Sequence, residues 1–299
     1  MNSHSIPVFI LAGGLGTRIS EETGTKPKPM IEIGEIPVLV HIMRSYYRQG
    51  FNDFVICAGY RSWEIKQFFL NYEFRMNHLM IDHRQNASEL PTAFGRSVTQ
   101  EKWRVRVIDT GKECMTGGRV ARAYDCISQV QKIDSFALTY GDGLCDVNFK
   151  DELAFHLSHE KIGTVLGVNL QGRFGVLELE PSGKVAGFIE KPDEIKDTIN
   201  GGFFFFRSGF RDYLSTDSSC ILEKTPLERL AAANELMMFK HNGFWHPMDT
   251  LRDKVYLENL WQTGEAPWLT TAFHSSPSAD AIPVRESNPT WAPPLSLQP

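Results

Sequence analysis

The sequence lacks the marks of several protein classes. Its five cysteines, Cys57, Cys114, Cys126, Cys145 and Cys220, are scattered, odd in number and never spaced C-x-x-C. That pattern excludes a disulfide framework or a cysteine zinc site as the organising feature. No apolar run approaches the ~20 residues that span a bilayer. The opening stretch, MNSHSIPVFILAGG, has no Lys or Arg ahead of its short apolar run, so it does not read as a secretory signal. Positive charge is not in excess: 31 Lys and Arg face 36 Asp and Glu, a formal charge of −5. General affinity for nucleic acid or anionic membrane needs net or clustered positive charge, so neither partner is expected. The nine histidines form no recognisable metal pattern, and no internal repeat is visible. A cytoplasmic protein with reduced thiols is expected.

What is present suits a globular chain: 42% of residues are apolar and 22% charged, enough to bury a core without staples. Strand-length apolar runs alternate with helix-like stretches through the first half. Pro7 to Ala12, Phe54 to Ala58, Val105 to Ile108 and Phe136 to Tyr140 read as strands. Ile36 to Gln49, Ser62 to Tyr72 and Arg119 to Val130 read as helices. Such alternation implies βαβ units and a largely parallel sheet. The second half reads differently. Thr164 to Asn169, Phe174 to Glu180, Val185 to Glu190 and Phe203 to Phe206 look like strands, the last buried on both faces. Helices are expected at Thr225 to Asn234 and Leu251 to Thr263. The fold class is therefore α/β, a Rossmann-like doubly wound mixed sheet with a smaller, more antiparallel lobe. The parts divide near 1–150 and 151–268. An insertion at about 70–114 has little periodicity, and a polar, Pro- and Ser-rich tail at 269–299 is expected to be flexible and outside the chemistry.

The strongest local signal follows the first strand: Leu11-Ala12-Gly13-Gly14-Leu15-Gly16-Thr17-Arg18. Glycines there let the backbone approach a phosphate, and successive N–H groups can form an anion nest. Thr17 adds a hydroxyl and Arg18 a forked donor. Lys28 follows within Lys26-Pro27-Lys28-Pro29, where prolines stiffen the loop and suppress helix. A P-loop is excluded because Thr17-Arg18 stands where Lys and Ser or Thr are needed. A dinucleotide fingerprint is excluded because its last glycine is missing. A tight turn with a solvated arginine is the plain alternative.

With these residues in view, LAGGLGTRISEETGTKPKPMIEIG resembles the signature of sugar-phosphate nucleotidylyltransferases, G-G-x-G-T-R followed by a lysine. It carries Glu21 where a proline is usual, a variation that, with KPKPM, resembles the glucose-1-phosphate cytidylyltransferase branch. The resemblance continues in order through ICAGY, MTGGR, TYGDG, RFG, EKP, NGGFF and HPMDTLRDK, from Phe9 to Trp268. It implies Mg²⁺-dependent transfer of a cytidylyl group from CTP to a sugar 1-phosphate, giving CDP-glucose where the sugar is glucose. UTP or dTTP, another sugar or polyol phosphate, and a non-catalytic regulatory relative remain alternatives.

The resemblance also assigns residues. Leu11, Ala12, Gly13, Gly14, Gly16, Thr17 and Arg18 would meet the nucleotide, as would Thr116, Gly117, Gly118 and Arg119, taken as a loop at the base. Arg18 and Lys28 would be catalytic. Lys28, Gly175, Glu190, Lys191, Asn200, Gly201 and Gly202 would meet the sugar phosphate, with glycines letting a hexose pack on the backbone. Asp142 and Asp249 would hold Mg²⁺. Each has a plainer reading: Asp142 as a turn residue, Asp249 as a helix N-cap, Glu190-Lys191 as a charged strand exit, Arg119 as a solvated first-turn residue. The family further implies homo-oligomers, hexamers among them.

Overall fold

Apolar runs without alternation suit strands covered on both faces, and Val-Phe-Ile-Leu-Ala at Val8–Ala12 is buried at every position. A computed structural model describes residues 6–16, 19, 24, 26–81, 92–94, 101–169, 176–179, 185–189 and 198–269. In chain order the main elements are β1 (Val8–Ala12), α1 (Val38–Tyr47), β2 (Asp53–Ala58), α2 (Ser62–Leu70), β3 (Arg104–Asp109), α3 (Thr116–Ser128) and β4 (Ser135–Tyr140). There follow α4 (Phe149–Ser158), β5 (Gly163–Asn169), β6 (Thr198–Arg207), α5 (Thr225–Ala232), β7 (Leu236–His241) and α6 (Leu251–Gln262).

The strands form one seven-stranded sheet in the order β7-β5-β6-β4-β1-β2-β3. β1 pairs in parallel with β2 and with β4, and β2 with β3. Only β6 runs against its neighbours, antiparallel to β4 and β5, while β7 pairs in parallel with β5. The chain winds from β1 outward to β3 and then returns to lay β4 on the other side of β1. That reversal opens a crevice beyond the carboxyl ends of β1 and β4, where open α/β sheets bind ligands.

The doubly wound mixed sheet expected from the sequence is present. The later strands differ in placement from the expected separate lobe, because β5, β6 and β7 extend the main sheet. The reason lies in Phe203–Phe206: all four rings are buried, and neighbours point to opposite faces. Phe203 and Phe205 join the core under α1 and α4, and Phe204 and Phe206 the one under α3 and α5. A strand needing cover on both sides is satisfied only inside a sheet. The Val176–Leu179/Val185–Ile189 hairpin stands outside it as an antiparallel pair.

Local chemistry explains several boundaries. α2 ends at Leu70, and a short helix at Tyr72–Met76 follows, where one helix was expected. α5 stops at Ala232, and Asn234 takes a left-handed φ of 56°, a conformation Asn tolerates after a helix. α4 was not anticipated; Asn148 caps it by accepting from the Lys150 and Asp151 amides. The edge strand β7 was also missed, since Met237 and Met238 are exposed and no alternation marks it. Within 70–114, β3 joins the sheet edge, and His78–Met80 pairs with Thr92–Phe94.

One buried acid stands apart from this packing. Glu152 of α4 is fully buried beside Tyr46, and among the described residues neither of its oxygens has a hydrogen-bond partner. Burial pushes its pKa from 4.5 to about 8. The folded state therefore keeps a proton that the unfolded chain has released, so stability falls as pH rises from about 4.5 to about 8. Glu152→Gln, which mimics the protonated acid, is expected to raise the melting temperature at pH 8 by an amount reflecting a few kcal/mol. The gain should shrink toward pH 4.5. A gain that is flat across that range would show that Glu152 is charged in the folded protein.

Candidate active site

The glycines after β1 differ in what they accommodate. A side chain at Gly13 would collide with the Arg119 guanidinium, whereas one at Gly14 would meet nothing within 4 Å. Gly16 has φ +65°, a turn conformation that favours glycine. Gly14 therefore faces open space, part of a half-open cavity of about 210 Å³. Its walls include Leu11, Ala12, Gly13, Gly14 and Gly16 from the loop, Lys28 and Pro29, Thr116 and Arg119 from α3, and Tyr140, Gly141 and Asp142 after β4. It opens where the strand order reverses.

Lys28 begins a single 3-10 turn, Lys28–Met30, instead of an extended loop. The Met30 amide donates to Pro27 and the Ile31 amide to Lys28, while Met30 and Ile31 are anchored in the core. This fixes the lysine's base. Its Nζ donates to Asp142 Oδ2 at 2.5 Å and Asp249 Oδ1 at 2.6 Å, residues 114 and 221 positions away in sequence. Burial alone would lower the Lys28 pKa; the two carboxylates outweigh it and hold it above the ordinary value. The ammonium is a permanent charge at the cavity wall.

The two aspartates meet through the backbone. Gly143–Cys145 pairs antiparallel with Trp245–Pro247, with Pro247 opposite Gly143, and the Met248 amide donates to the Asp142 carbonyl at 2.8 Å. Gly141 packs too tightly on the Leu11 carbonyl and Pro29 for any side chain. Asp249 is not the helix cap. Thr250 caps α6, in a capping box with Asp253, which also accepts from the Asp249 amide at 3.1 Å. The Asp249 carboxylate is thereby released from capping and turned to Lys28. Two carboxylates converging on one cation form a hard, oxygen-only donor set. Among the described residues no group of three or more His, Cys, Asp or Glu could hold a metal.

Thr116, Gly117, Gly118 and Arg119 are not a loop but the first turn of α3. Helical glycines cost about 1 kcal/mol each relative to alanine; here they admit a neighbouring segment. A side chain at Gly117 would strike Cys220 Sγ, and one at Gly118 would strike the Asp217 carbonyl. The Met115 and Gly118 amides donate to the Ser218 and Cys220 carbonyls. Arg119 is buried, not solvated. Its Nη2 donates to the carbonyls of Gly13 (2.8 Å) and Lys112 (3.1 Å). Its Nη1 donates to the Gly111 carbonyl (2.7 Å) and Thr110 Oγ1 (2.9 Å), with a longer contact to the Ala58 carbonyl. It ties together the exits of β1, β2 and β3. Carbonyls solvate the guanidinium without cancelling its charge, which favours anions in the cavity beside it.

Asn200 is exposed, while Gly201 and Gly202 are buried. The space over Gly202, whose φ is +79°, is filled by the Tyr140 ring, and that over Gly201 by Val168 and Leu166. These glycines thus make room for protein atoms, not for an open hexose platform. Asn200 Oδ1 accepts from the Gly202 amide, and its side chain also hydrogen-bonds the Tyr140 hydroxyl. Thr17, Arg18, Gly175, Glu190 and Lys191 lie outside the described residues, as do Glu21, Arg173 and Phe174.

Sequence reasoning missed Tyr140 and Glu223. Tyr140 OH donates to Glu223 Oε1 at 2.5 Å, and Thr116 Oγ1 to Glu223 Oε2 at 2.7 Å. Tyr140 carried a faint signal, standing two residues before Asp142 on the same strand exit. Glu223 carried none, because its partners come from two distant elements.

A glycine loop at the switch point of a doubly wound sheet, facing a lysine and two convergent carboxylates, defines a phosphate-handling α/β enzyme class. The family description of nucleotidyl transferases matches residues 7–250. The chain belongs to that family and is a nucleotidyltransferase. It is 46% identical over 261 residues to a glucose-1-phosphate cytidylyltransferase of Salmonella typhi, covering 87% of this chain and 98% of that protein. It is 36% identical over 259 residues to a probable glucose-1-phosphate cytidylyltransferase of Bacillus subtilis (strain 168), covering 87% and 97%. Among solved structures, HddC from Yersinia pseudotuberculosis complexed with GMP-PN shares the fold, with a TM-score of 0.58 at 19% identity, covering 86% of this chain and 99% of that one. No helix among the described residues is long and apolar enough to cross a membrane.

Proposed function

We propose that the chain transfers the cytidylyl group of CTP to α-D-glucose 1-phosphate, releasing pyrophosphate and leaving CDP-glucose. The observation that carries the chemistry is Lys28 Nζ held between Asp142 and Asp249 at the wall of the glycine-lined cavity. The choice of substrates draws support from the two cytidylyltransferase relatives.

The attacking group is a phosphate oxygen of the sugar 1-phosphate. It forms a bond to the α-phosphorus as the bond to the pyrophosphate oxygen breaks, so no nucleophilic side chain is required. The task is to bring two polyanions together and to hold them in line. Asp142 and Asp249 would hold a divalent cation, Mg²⁺ in this reading, which when bound supplies positive charge beside the triphosphate. Gly14 and Gly16 give the triphosphate access to the backbone. Lys28, anchored at its base and charged throughout the working pH range, steadies the phosphates. Arg119 adds a fixed positive potential behind the loop. Arg18 at the pyrophosphate, and Lys191 and Glu190 at the sugar phosphate, complete the reading. So does assembly into a homo-oligomer, with exposed Leu70, Leu79, Met80 and Ile81 in its favour; a single monomeric species in sedimentation velocity would remove that part.

The test is pyrophosphate release with each common nucleoside triphosphate against a panel of sugar and polyol phosphates in Mg²⁺. CTP with glucose 1-phosphate is expected to give the highest kcat/KM, by about tenfold or more over other pairs. Preference for another pair would reassign the substrates. Absence of pyrophosphate from every pair would leave a binding protein in place of an enzyme.

A further inference from the structure

The hydroxyls that Thr116 and Tyr140 contribute beside the cavity have their hydrogens committed to one carboxylate, that of the exposed Glu223. Thr116 Oγ1 donates to one oxygen of Glu223 and Tyr140 OH to the other. A carboxylate has only lone pairs to offer, so each hydroxyl must be the donor. Burial and the neighbouring Glu223 push the Tyr140 phenol well above its ordinary pKa, so its hydrogen stays in place. Thr116 Oγ1 also accepts from the Leu222 amide at 2.9 Å. Several donors nearby are occupied as well. The Met115 and Gly118 amides serve Ser218 and Cys220, and the Arg119 guanidinium serves the carbonyls beneath the loop. With their hydrogens given to Glu223, the Thr116 and Tyr140 hydroxyls keep only lone pairs for a further partner, and the Asn200 side chain already meets the Tyr140 oxygen.

We propose that Glu223 is a specificity-determining positioning residue. By fixing the hydroxyl hydrogens of Thr116 and Tyr140, it makes this wall an acceptor surface that takes an amino-bearing pyrimidine and turns away a keto-bearing one. Cytosine has an amino donor on C4, where uracil and thymine have a carbonyl acceptor. A keto oxygen set against these oxygens leaves acceptors facing each other with no proton between them, whereas an amino group is satisfied. Glu223 does not line the cavity itself; it acts through two residues that do. This inference rests on the reading of the cavity as the nucleotide site and deepens it to the choice of base.

Glu223→Gln tests it in the full-length protein. An amide has one acceptor and two hydrogens, so it cannot accept from both hydroxyls, and at least one is freed to turn its hydrogen to the cavity. The ratio of kcat/KM for CTP to that for UTP, measured with glucose 1-phosphate and Mg²⁺, is expected to fall by about tenfold, chiefly through KM. Thr116→Val, which keeps the shape and deletes the hydroxyl, should lower the ratio as well. Adding Glu223→Gln to Thr116→Val should then change the ratio less than it does alone. A merely structural role would lower kcat/KM for both nucleotides by one factor, and an unchanged ratio overturns the inference. If Glu223→Gln does not fold, Thr116→Val decides, and a wild-type ratio there overturns it equally. A wild-type protein that transfers neither nucleotide, or prefers UTP, fails the functional reading itself and is recognised before any variant is made.

Discussion

Asp142→Asn is expected to lower kcat/KM for nucleotidyl transfer by about two to three orders of magnitude while leaving the fold in place. The change removes one charge and almost no volume. The backbone bond from the Met248 amide to the Asp142 carbonyl survives, and so does the ladder between Gly143–Cys145 and Trp245–Pro247. Lys28 keeps Asp249 as its ionic partner, so the buried ammonium is not left uncompensated. What is lost is one of two anionic donors converging on the cation position beside Lys28. The melting temperature should move by no more than about 2 °C. The activity should recover in part at higher Mg²⁺, because weakened binding of a cation is offset by its concentration. Asp249→Asn should behave alike, and the double variant should be little worse than either single one, since the two act as a unit. Activity within about threefold of wild type in Asp142→Asn would exclude the carboxylate from the reaction.

Arg119→Met is expected to act in the opposite order, on stability first. Its guanidinium serves the Gly13, Gly111 and Lys112 carbonyls and the Thr110 hydroxyl, drawn from the segments that follow β1 and β3. Methionine fills much of the space and bonds none of them. Leaving several buried acceptors unpaired costs about 3–5 kcal/mol after some water enters from the cavity side. For a chain of this length that corresponds to a fall in melting temperature of about 5–8 °C. Well below that midpoint, the Gly13–Gly16 loop would be held less firmly, and the KM for the nucleotide should rise more than kcat falls. Arg119→Lys should rescue little, because one ammonium cannot reach acceptors spread around a planar fork. A melting temperature within about 2 °C of wild type would mean that the guanidinium is not the clamp.

Much of this was readable along the chain, for local reasons. Val8–Ala12 and residues 54–58 and 136–138 are apolar through their length, so burial on both faces follows from composition alone. Glycine at positions 13, 14 and 16 straight after a strand, with Lys28 in a proline-stiffened turn, points to phosphate before any contact is known. Local reasoning failed wherever the deciding partner was distant. Asp249 also had the look of an N-cap, but its own neighbour Thr250, boxed with Asp253, takes that role, and the partner that Asp249 meets instead is Lys28, 221 positions away. Gly117, Gly118, Gly201 and Gly202 suggested backbone laid open to ligand; the absent side chains instead admit Cys220, Asp217, Val168 and Tyr140.

By itself, then, the sequence determined a doubly wound α/β chain, a glycine-rich strand exit of a kind suited to phosphate and a candidate set of charges, because propensity, periodicity and turn chemistry act over a few residues. The tertiary structure alone decided that Lys28 stands between Asp142 and Asp249, that Arg119 turns inward, and that Glu223 gathers Thr116 and Tyr140. Those facts depend on sheet order and on which loops cross the switch point. A hydrogen bond between residues eighty or more positions apart leaves no local trace in either partner.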